Sequence, residues 1–120
     1  MEFEPTKGIY LQIADSICEK ILSNAYSNGD KIPSVRELAA ETGVNPNTIM
    51  RTYTELQSAG ILENRRGVGF FVGPEAKGII LTQRKQQFFN QTLPEFVKQA
   101  KLLNISLDDI WANLKEKGGK

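Results

Sequence analysis

The sequence predicts a mostly α-helical protein with one small β-hairpin, and three observations lead to this fold class. Apolar residues recur at helical spacing in several separate segments. Helix-capping and turn residues stand between those segments. A single stretch, ILENRRGVGFFV, has the pattern of two short strands around a glycine-containing turn. The chain has 120 residues, and we expect a first domain over 1–75 and a short helical domain over 76–120.

The first helix is predicted from an apolar residue at every fourth position, because that spacing places one stripe of side chains along one side of a helix. The stripe consists of Ile9, Ile13, Ile17 and Ile21. The polar run SNAYSNGD ends the helix. Cys18, the single cysteine, lies inside this pattern, so we expect a buried thiol in a reducing compartment and no disulfide.

A second, short helix is predicted over about 34–42. Ser34 and Glu37 have the S-x-x-E spacing of a capping box, in which each side chain accepts a hydrogen bond from a free backbone N–H of the other residue. Gly43 can take the left-handed conformation that ends a helix.

A third helix is predicted to begin only two residues after the second ends. Asn45 can cap it, and Pro46 suits the first helical position because no N–H is needed there. Along this helix Ile49, Tyr53 and Leu56 fall on one face, which we expect to be buried. The opposite face carries polar residues and one methionine: Asn47, Met50, Arg51, Thr54 and Ser58.

Two helices joined by a tight glycine turn, the second with a polar outer face, are typical of a helix-turn-helix that places its second helix in the DNA major groove. An ordinary surface helix also has a polar face, so the next segment is decisive. There the predicted hairpin carries Arg65 and Arg66 near its tip, with Gly67 and Gly69 in its turn. A first helix, a helix-turn-helix and a basic hairpin together predict a winged helix-turn-helix.

The residues from 76 onward predict two further helices. Pro94 lies inside the first, over 76–103, and should kink or interrupt it. Asn104 can close that helix, and Ser106 with Asp109 can open the next. Two helices cannot by themselves bury the large apolar residues Phe88, Phe89, Phe96, Leu103, Trp111 and Leu114. These residues either fold back on the winged helix or pack against a second copy; the second copy is favoured, which makes this segment a two-helix C-terminal dimerisation tail.

Composition argues against catalysis and against a membrane. The chain has no histidine and only one cysteine, which removes imidazole chemistry, most zinc sites and the common catalytic triads. We therefore expect no enzymatic activity, no metal and no cofactor. No apolar run approaches the ~18 residues of a membrane-spanning helix. The N-terminus MEFEPTKG also lacks the basic and apolar regions of a signal peptide, so we expect a cytoplasmic protein.

Because the charges of the chain nearly balance, any surface that binds nucleic acid must be a local basic one. The net charge is +1, and residues 1–75 carry seven basic against ten acidic side chains, while 76–120 carry eight against four. A nucleic-acid-binding domain usually shows a basic face. In the stretch from 31 to 72 the candidates for such a face are Lys31, Arg36, Arg51, Arg65 and Arg66.

The run GDKIPSVRELAAETGVNPNTIMRTYTELQSAGILENRRGVGFFV resembles the DNA-binding domain of the GntR family of bacterial transcription regulators. Upstream, IYLQIADSICEKIL is similar to the first helix of that family, so the resemblance covers about residues 9–73. The short two-helix tail and the phrase VNPNTIMRTY resemble the YtrA subfamily, whose members lack a large effector-binding domain.

The resemblance implies homodimerisation through the tail and binding to a pseudo-palindromic operator, usually as a repressor. It implies that Arg36 contacts the phosphate backbone or a base, and that Gly67 lets the wing approach the minor groove closely. The residues from Asn45 to Thr48 would face the major groove. The complete set of expected DNA-binding residues is Ser34, Arg36, Asn45, Pro46, Asn47, Thr48, Met50, Arg51, Arg65, Arg66 and Gly67.

The chain departs from the family at Pro46 and Met50, where many members carry arginines that read guanine. Met50 can make only apolar contact, for instance with a thymine methyl group. We therefore expect less guanine readout and more dependence on Asn47, Thr48 and Arg51. The alternatives are a surface ion pair between Arg36 and a neighbouring glutamate, and a merely solvated hairpin tip for the wing arginines.

Two further possibilities stay open at the sequence level. Winged helices also serve as protein-interaction modules without specific DNA binding, and the acidic count of residues 1–75 is compatible with that function. The salt dependence of binding separates the two, since phosphate contacts make affinity fall steeply with salt. An unknown small-molecule effector would bind at the dimer interface or between tail and winged helix, because so short a tail leaves little interior for a pocket.

Overall fold

The computed structural model describes residues 8–118, and their fold is mostly α-helical with one hairpin, as predicted. The elements in chain order are α1 (Ile9–Leu22), α2 (Val35–Thr42), α3 (Pro46–Ser58), β1 (Leu62–Arg65), β2 (Gly69–Val72), α4 (Ala76–Gln87), a π-helical segment (Phe88–Thr92), α5 (Leu93–Leu102) and α6 (Leu107–Lys117). They form two compact units, one ending at Thr82 and the other beginning at Gln83. None of the helices in 8–118 has the length and apolar character needed to cross a membrane.

The core of the first unit forms around α1 and α3. Ile13, Ile17, Cys18 and Ile21 are buried, which confirms the predicted stripe and the buried thiol. Ile9, the first member of that stripe, is exposed at the first position of the helix.

The turn between α2 and α3 has the predicted capping chemistry. Glu37 N–H donates to Ser34 Oγ at 3.1 Å, and Ser34 N–H donates back to Glu37 Oε1 at 3.0 Å. Gly43 ends α2 at φ +74°, a conformation that costs little only in glycine. Asn45 Oδ1 accepts a hydrogen bond from Asn47 N–H at 2.8 Å, so α3 begins where the sequence predicts.

The hairpin gains a second, short pairing that the sequence did not predict. β1 and β2 pair antiparallel with Leu62 opposite Val72 and Arg65 opposite Gly69. On the other edge of β2, Lys31 pairs with Phe71 in an isolated antiparallel bridge. The segment that precedes α2 is therefore attached to the hairpin, which is the wing of the winged helix-turn-helix.

Tyr53 joins α3 to the wing and to the segment before α2. Its side chain is fully buried, its hydroxyl donates to Pro33 O at 2.6 Å, and its ring meets Phe70 edge-on with centroids 4.9 Å apart. Burial raises the pKa of the Tyr53 phenol above its ordinary value, so the hydroxyl stays a proton donor. This contact fixes the position of the hairpin on the helix-turn-helix.

The predicted long helix over 76–103 is divided into three segments. Ala76 and Ile80, in the first turns of α4, lie in the core of the first unit. Within the π-helical segment Leu93 N–H donates to Phe88 O, five residues back. Pro94 follows at the start of α5, where its missing N–H is tolerated. The predicted interruption near Pro94 is confirmed, and it takes the form of a widened turn before the proline.

The second unit contains α5 and α6 joined by a short turn. Asn104 takes φ +55°, and Ser106 Oγ accepts a hydrogen bond from Asp109 N–H at 3.1 Å. Asn104 therefore follows the end of α5 and Ser106 caps the start of α6, as the sequence predicts. From Gln83 to Gly118, Ala100 is the only buried residue among those described. The boundary between residues 75 and 76 stays a prediction, as does the role of the tail in dimerisation.

Candidate nucleic-acid interface

The first candidate contact is Arg36, in the first turn of α2. Its side chain is exposed and has no ion pair, hydrogen bond or ring partner among residues 8–118. The alternative ion pair with a neighbouring glutamate is not formed there. The guanidinium is free to meet an external anion.

Ser34 and Glu37 hold the start of the helix that carries Arg36. The backbone N–H of Ser34 donates to the Glu37 carboxylate, and this hydrogen bond is the main cause that lowers the pKa of Glu37. Ser34 Oγ is already an acceptor within the cap. Its hydroxyl proton can still be donated to a phosphate oxygen.

The exposed face of α3 is mostly neutral. Asn47, Met50 and Thr54 are exposed, and Thr48 is half-buried. Asn45 uses its Oδ1 atom to cap the helix, and its amide N–H groups stay able to donate to DNA. Pro46 and Met50, the two departures from the family pattern, bring no charge to this surface.

Arg51 is held by two neighbours. Its guanidinium carbon lies 4.0 Å from the centroid of the Tyr10 ring, and its Nε atom lies 3.5 Å from Glu55 Oε1. Tyr10 belongs to the start of α1, 41 positions earlier in the chain, so periodicity within α3 could not indicate the contact.

Thr52 is a fully buried polar residue that sequence analysis did not place in the core. Its Oγ1 atom lies 3.0 Å from Thr48 O and 3.3 Å from Tyr10 O, within hydrogen-bond distance of both. The hydroxyl thus joins the start of α1 to the middle of α3, next to the arginine that stacks on Tyr10.

The two wing arginines differ in their surroundings. Arg65 stacks on the Phe71 ring with its guanidinium carbon 4.0 Å from the centroid, and its Nη2 atom lies 3.8 Å from Glu63 Oε2. Arg66 is exposed and has no such partner among residues 8–118. Gly67 beside it has φ +77° and open space around the position of a Cβ atom. The tip of the wing therefore presents one free guanidinium next to a residue without a side chain.

Lys31 also belongs to the wing. Its bridge with Phe71 places its side chain across Gly69, where an added Cβ would lie 2.9 Å from Lys31 Cε. Lys31 is exposed, and it extends the basic surface of the hairpin toward the start of α2. Within residues 8–118, no group of three or more His, Cys, Asp or Glu side chains is arranged to hold a metal ion.

The second unit exposes the apolar residues expected to mediate dimerisation. Those residues are Phe88, Phe89, Phe96, Leu103, Trp111 and Leu114. Leu103 is 67% exposed and Trp111 59%. An open groove of about 380 Å³ lies along this unit, lined by Phe96, Leu103, Ile110 and Leu114 among others. A single tail thus forms a larger apolar groove than we expected from so short a segment.

Comparison with known proteins agrees with this architecture. The family model of bacterial regulatory proteins of the gntR family matches residues 9–72. The chain is 43% identical to the HTH-type transcriptional regulator YhcF of Bacillus subtilis over 95% of this chain and 93% of that protein. It is 36% identical to the HTH-type transcriptional repressor YtrA of the same organism, over 93% and 89%. A solved GntR-family regulator from Bacteroides thetaiotaomicron superposes with a TM-score of 0.75 at 45% identity, covering 91% of this chain and 95% of that one. The chain therefore belongs to the GntR family of bacterial transcription regulators, with the winged helix-turn-helix and short tail of its YtrA-like members.

Proposed function

We propose that the protein is a sequence-specific repressor that binds a pseudo-palindromic operator as a homodimer. One observation carries this proposal: the exposed, mostly neutral face of α3 belongs to a domain that also presents two unpaired arginines, Arg36 on α2 and Arg66 on the wing. Cations that touch phosphates fix the register of a protein on DNA, while neutral side chains in the major groove read the bases.

The residues of α3 favour operators with adenine and thymine at the contacted positions. Asn47 can donate to and accept from the edge of adenine, and Met50, 46% exposed, can contact a thymine methyl group. Thr48 lies beside them. Arg36 contacts the phosphate backbone, and Gly67 lets Arg66 approach the minor groove.

The exposed apolar residues of the tail support a homodimer. Isolated soluble chains seldom leave so many large apolar side chains of one segment exposed to water. A symmetric pair of tails would cover them and hold two copies of α3 at a fixed separation. Half-sites would then lie about one helical turn apart, ~34 Å, or a multiple of it. The repressor assignment is supported by the similarity to YtrA, which is itself named a transcriptional repressor.

The test is a mobility-shift series on upstream genomic fragments and random-sequence DNA at increasing salt, with sedimentation to count subunits. The expected result is one dimeric complex on one fragment, with log affinity falling steeply against log salt. A protein that retards no fragment at low salt would contradict the proposal and favour the protein-interaction module. An effector, if one exists, would change the retardation at fixed salt.

A further inference from the structure

The contact between Arg51 and Tyr10 affects where α3, the proposed recognition helix, presents its only basic side chain. In Pro46–Ser58 the single basic residue is Arg51 and the single acidic residue is Glu55, so α3 has no net charge. Any charge that α3 brings to DNA must come from this one guanidinium. Its position therefore decides whether it reaches a base or a phosphate.

The geometry leaves the hydrogen-bond donors of Arg51 available. Tyr10 covers one face of the guanidinium at 4.0 Å, and Glu55 approaches only the Nε side at 3.5 Å. A guanidinium donates in its plane, so a ring against its face removes none of its donors. The two Nη groups remain able to donate.

The backbone of Tyr10 is joined to the recognition helix. Thr52, the residue after Arg51, lies with its hydroxyl 3.3 Å from the backbone oxygen of Tyr10. Ile13, one turn further along α1, is buried in the core that also contains α3 residues such as Ile49. Tyr10 is therefore tied to α3 by its backbone and lies one turn from the core, so its ring can restrict the arginine.

We propose that Tyr10 is a positioning residue for DNA binding, which holds Arg51 at the α1 side of α3 so that its Nη groups contact a phosphate and not a base. This inference rests on the proposed DNA-binding function and extends it by assigning Arg51 a class of contact. Asn47 and Met50, exposed on the same helix without ring partners, are left to meet the bases.

The experiment compares Arg51→Gln, Tyr10→Leu, Tyr10→Phe and the double variant Tyr10→Leu/Arg51→Gln. The probes are a DNA fragment selected from a random pool by the wild-type protein and a scrambled fragment of the same composition. Arg51→Gln should weaken binding to both fragments by the same factor and reduce the slope of log affinity against log salt by about 0.9, the value for one lost phosphate contact.

The Tyr10 variants test positioning. Tyr10→Leu should weaken binding about twofold to fivefold, as loss of an exposed cation–π contact does. It should have no further effect when Arg51 is already glutamine, and Tyr10→Phe, which keeps the ring, should bind like the wild type. A matched control is Lys20→Gln, which removes one charge from a similar pair with Tyr26, 5.5 Å away near the other end of α1; it should leave the salt slope unchanged.

Three results would overturn the inference while the wild type still binds DNA. One is a salt slope unchanged by Arg51→Gln. Another is a loss confined to the selected fragment, which would make Arg51 a base contact. The third is an equal effect of Tyr10→Leu in both backgrounds. Thermal unfolding of each variant accompanies the series, and Arg51→Gln, exposed on the surface, carries the test if Tyr10→Leu unfolds. A wild type that binds neither fragment would refute the proposed function itself.

Discussion

The two units of the protein treat their apolar residues in opposite ways. The first buries isoleucines from α1, α3 and α4 in one core, whereas Ala100 is the only buried residue described in the second. Helices that bury so little have little to stabilise them in isolation, since most helical stability in proteins comes from tertiary packing. The first unit thus buries a core of its own, whereas in the proposed homodimer the second unit would gain its stability from the tail of another copy. We expect its stability to depend on protein concentration.

The largest expected effect comes from removing the Tyr53 side chain from the core of the first unit. Tyr53→Ala should lower the free energy of unfolding by about 3–5 kcal/mol, as truncation of other large buried aromatics does. The side chain is fully buried and its hydroxyl is bonded to Pro33 O, so both a cavity and an unpaired acceptor would result. Urea unfolding followed by circular dichroism measures it. A loss below about 1 kcal/mol would mean that the core is less dependent on this ring than its contacts indicate.

The second unit should respond differently to substitution. Trp111→Ala, which truncates an exposed ring, should weaken the proposed homodimer about 30-fold or more, as loss of a central interface aromatic does. It should leave the unfolding of the first unit unchanged. Sedimentation across a dilution series gives the dimer constant, and Lys98→Ala on α5 is a control that changes an exposed residue without removing apolar surface. A dimer that withstands dilution as well as the wild type would show that Trp111 lies outside the interface.

Sequence signals within a few residues of each other predicted most of this fold. Local spacing predicts the capping box at Ser34 and Glu37 and the left-handed Gly43, because a helix end must satisfy its own backbone groups. Local spacing also predicts the buried face of α3, because residues three or four apart lie on one side of a helix. The contacts that arrange the candidate interface escaped prediction. The bridge of Lys31 with Phe71 and the stacking of Arg51 on Tyr10 each join distant segments, and no periodicity marks them.

Within the first unit, Arg36 should matter most for DNA binding. Arg36→Ala should weaken operator binding about tenfold or more, because an unpaired cation on α2 is lost from the protein–DNA interface. The free energy of unfolding should stay within about 0.5 kcal/mol of the wild type, as is usual for a surface change without partners. Mobility shift and urea unfolding on the same preparation separate the two quantities. Normal operator binding by Arg36→Ala would remove this residue from the interface.

A smaller effect should distinguish the two wing arginines. Arg66→Ala should reduce the salt slope by about 0.9, the value for one phosphate contact, and Arg65→Ala by less. The reason is that Glu63 Oε2 lies 3.8 Å from Nη2 of Arg65 and competes with a phosphate for that group, whereas Arg66 has no partner among the described residues. Each alanine variant serves as the control for the other. Equal reductions, or a larger one for Arg65, would mean that the hairpin rearranges when it meets DNA.

The smallest expected effect is a pH dependence at the start of α2. The backbone N–H of Ser34 lowers the pKa of Glu37 in the folded protein below its ordinary value of 4.5. A depressed pKa means that this carboxylate stabilises the folded state fully above pH 4.5 and loses that contribution as the pH falls through the lower folded value. Glu37→Gln keeps an acceptor oxygen for the cap but cannot titrate. The stability difference between wild type and variant should therefore narrow as the pH falls from about 5.5 to about 3.5, within about one pH unit of that ordinary value. Urea unfolding at each pH measures the difference. A difference that stays constant across this range would mean that the cap does not depend on the charge of Glu37, and that the hydrogen bond alone defines where α2 begins.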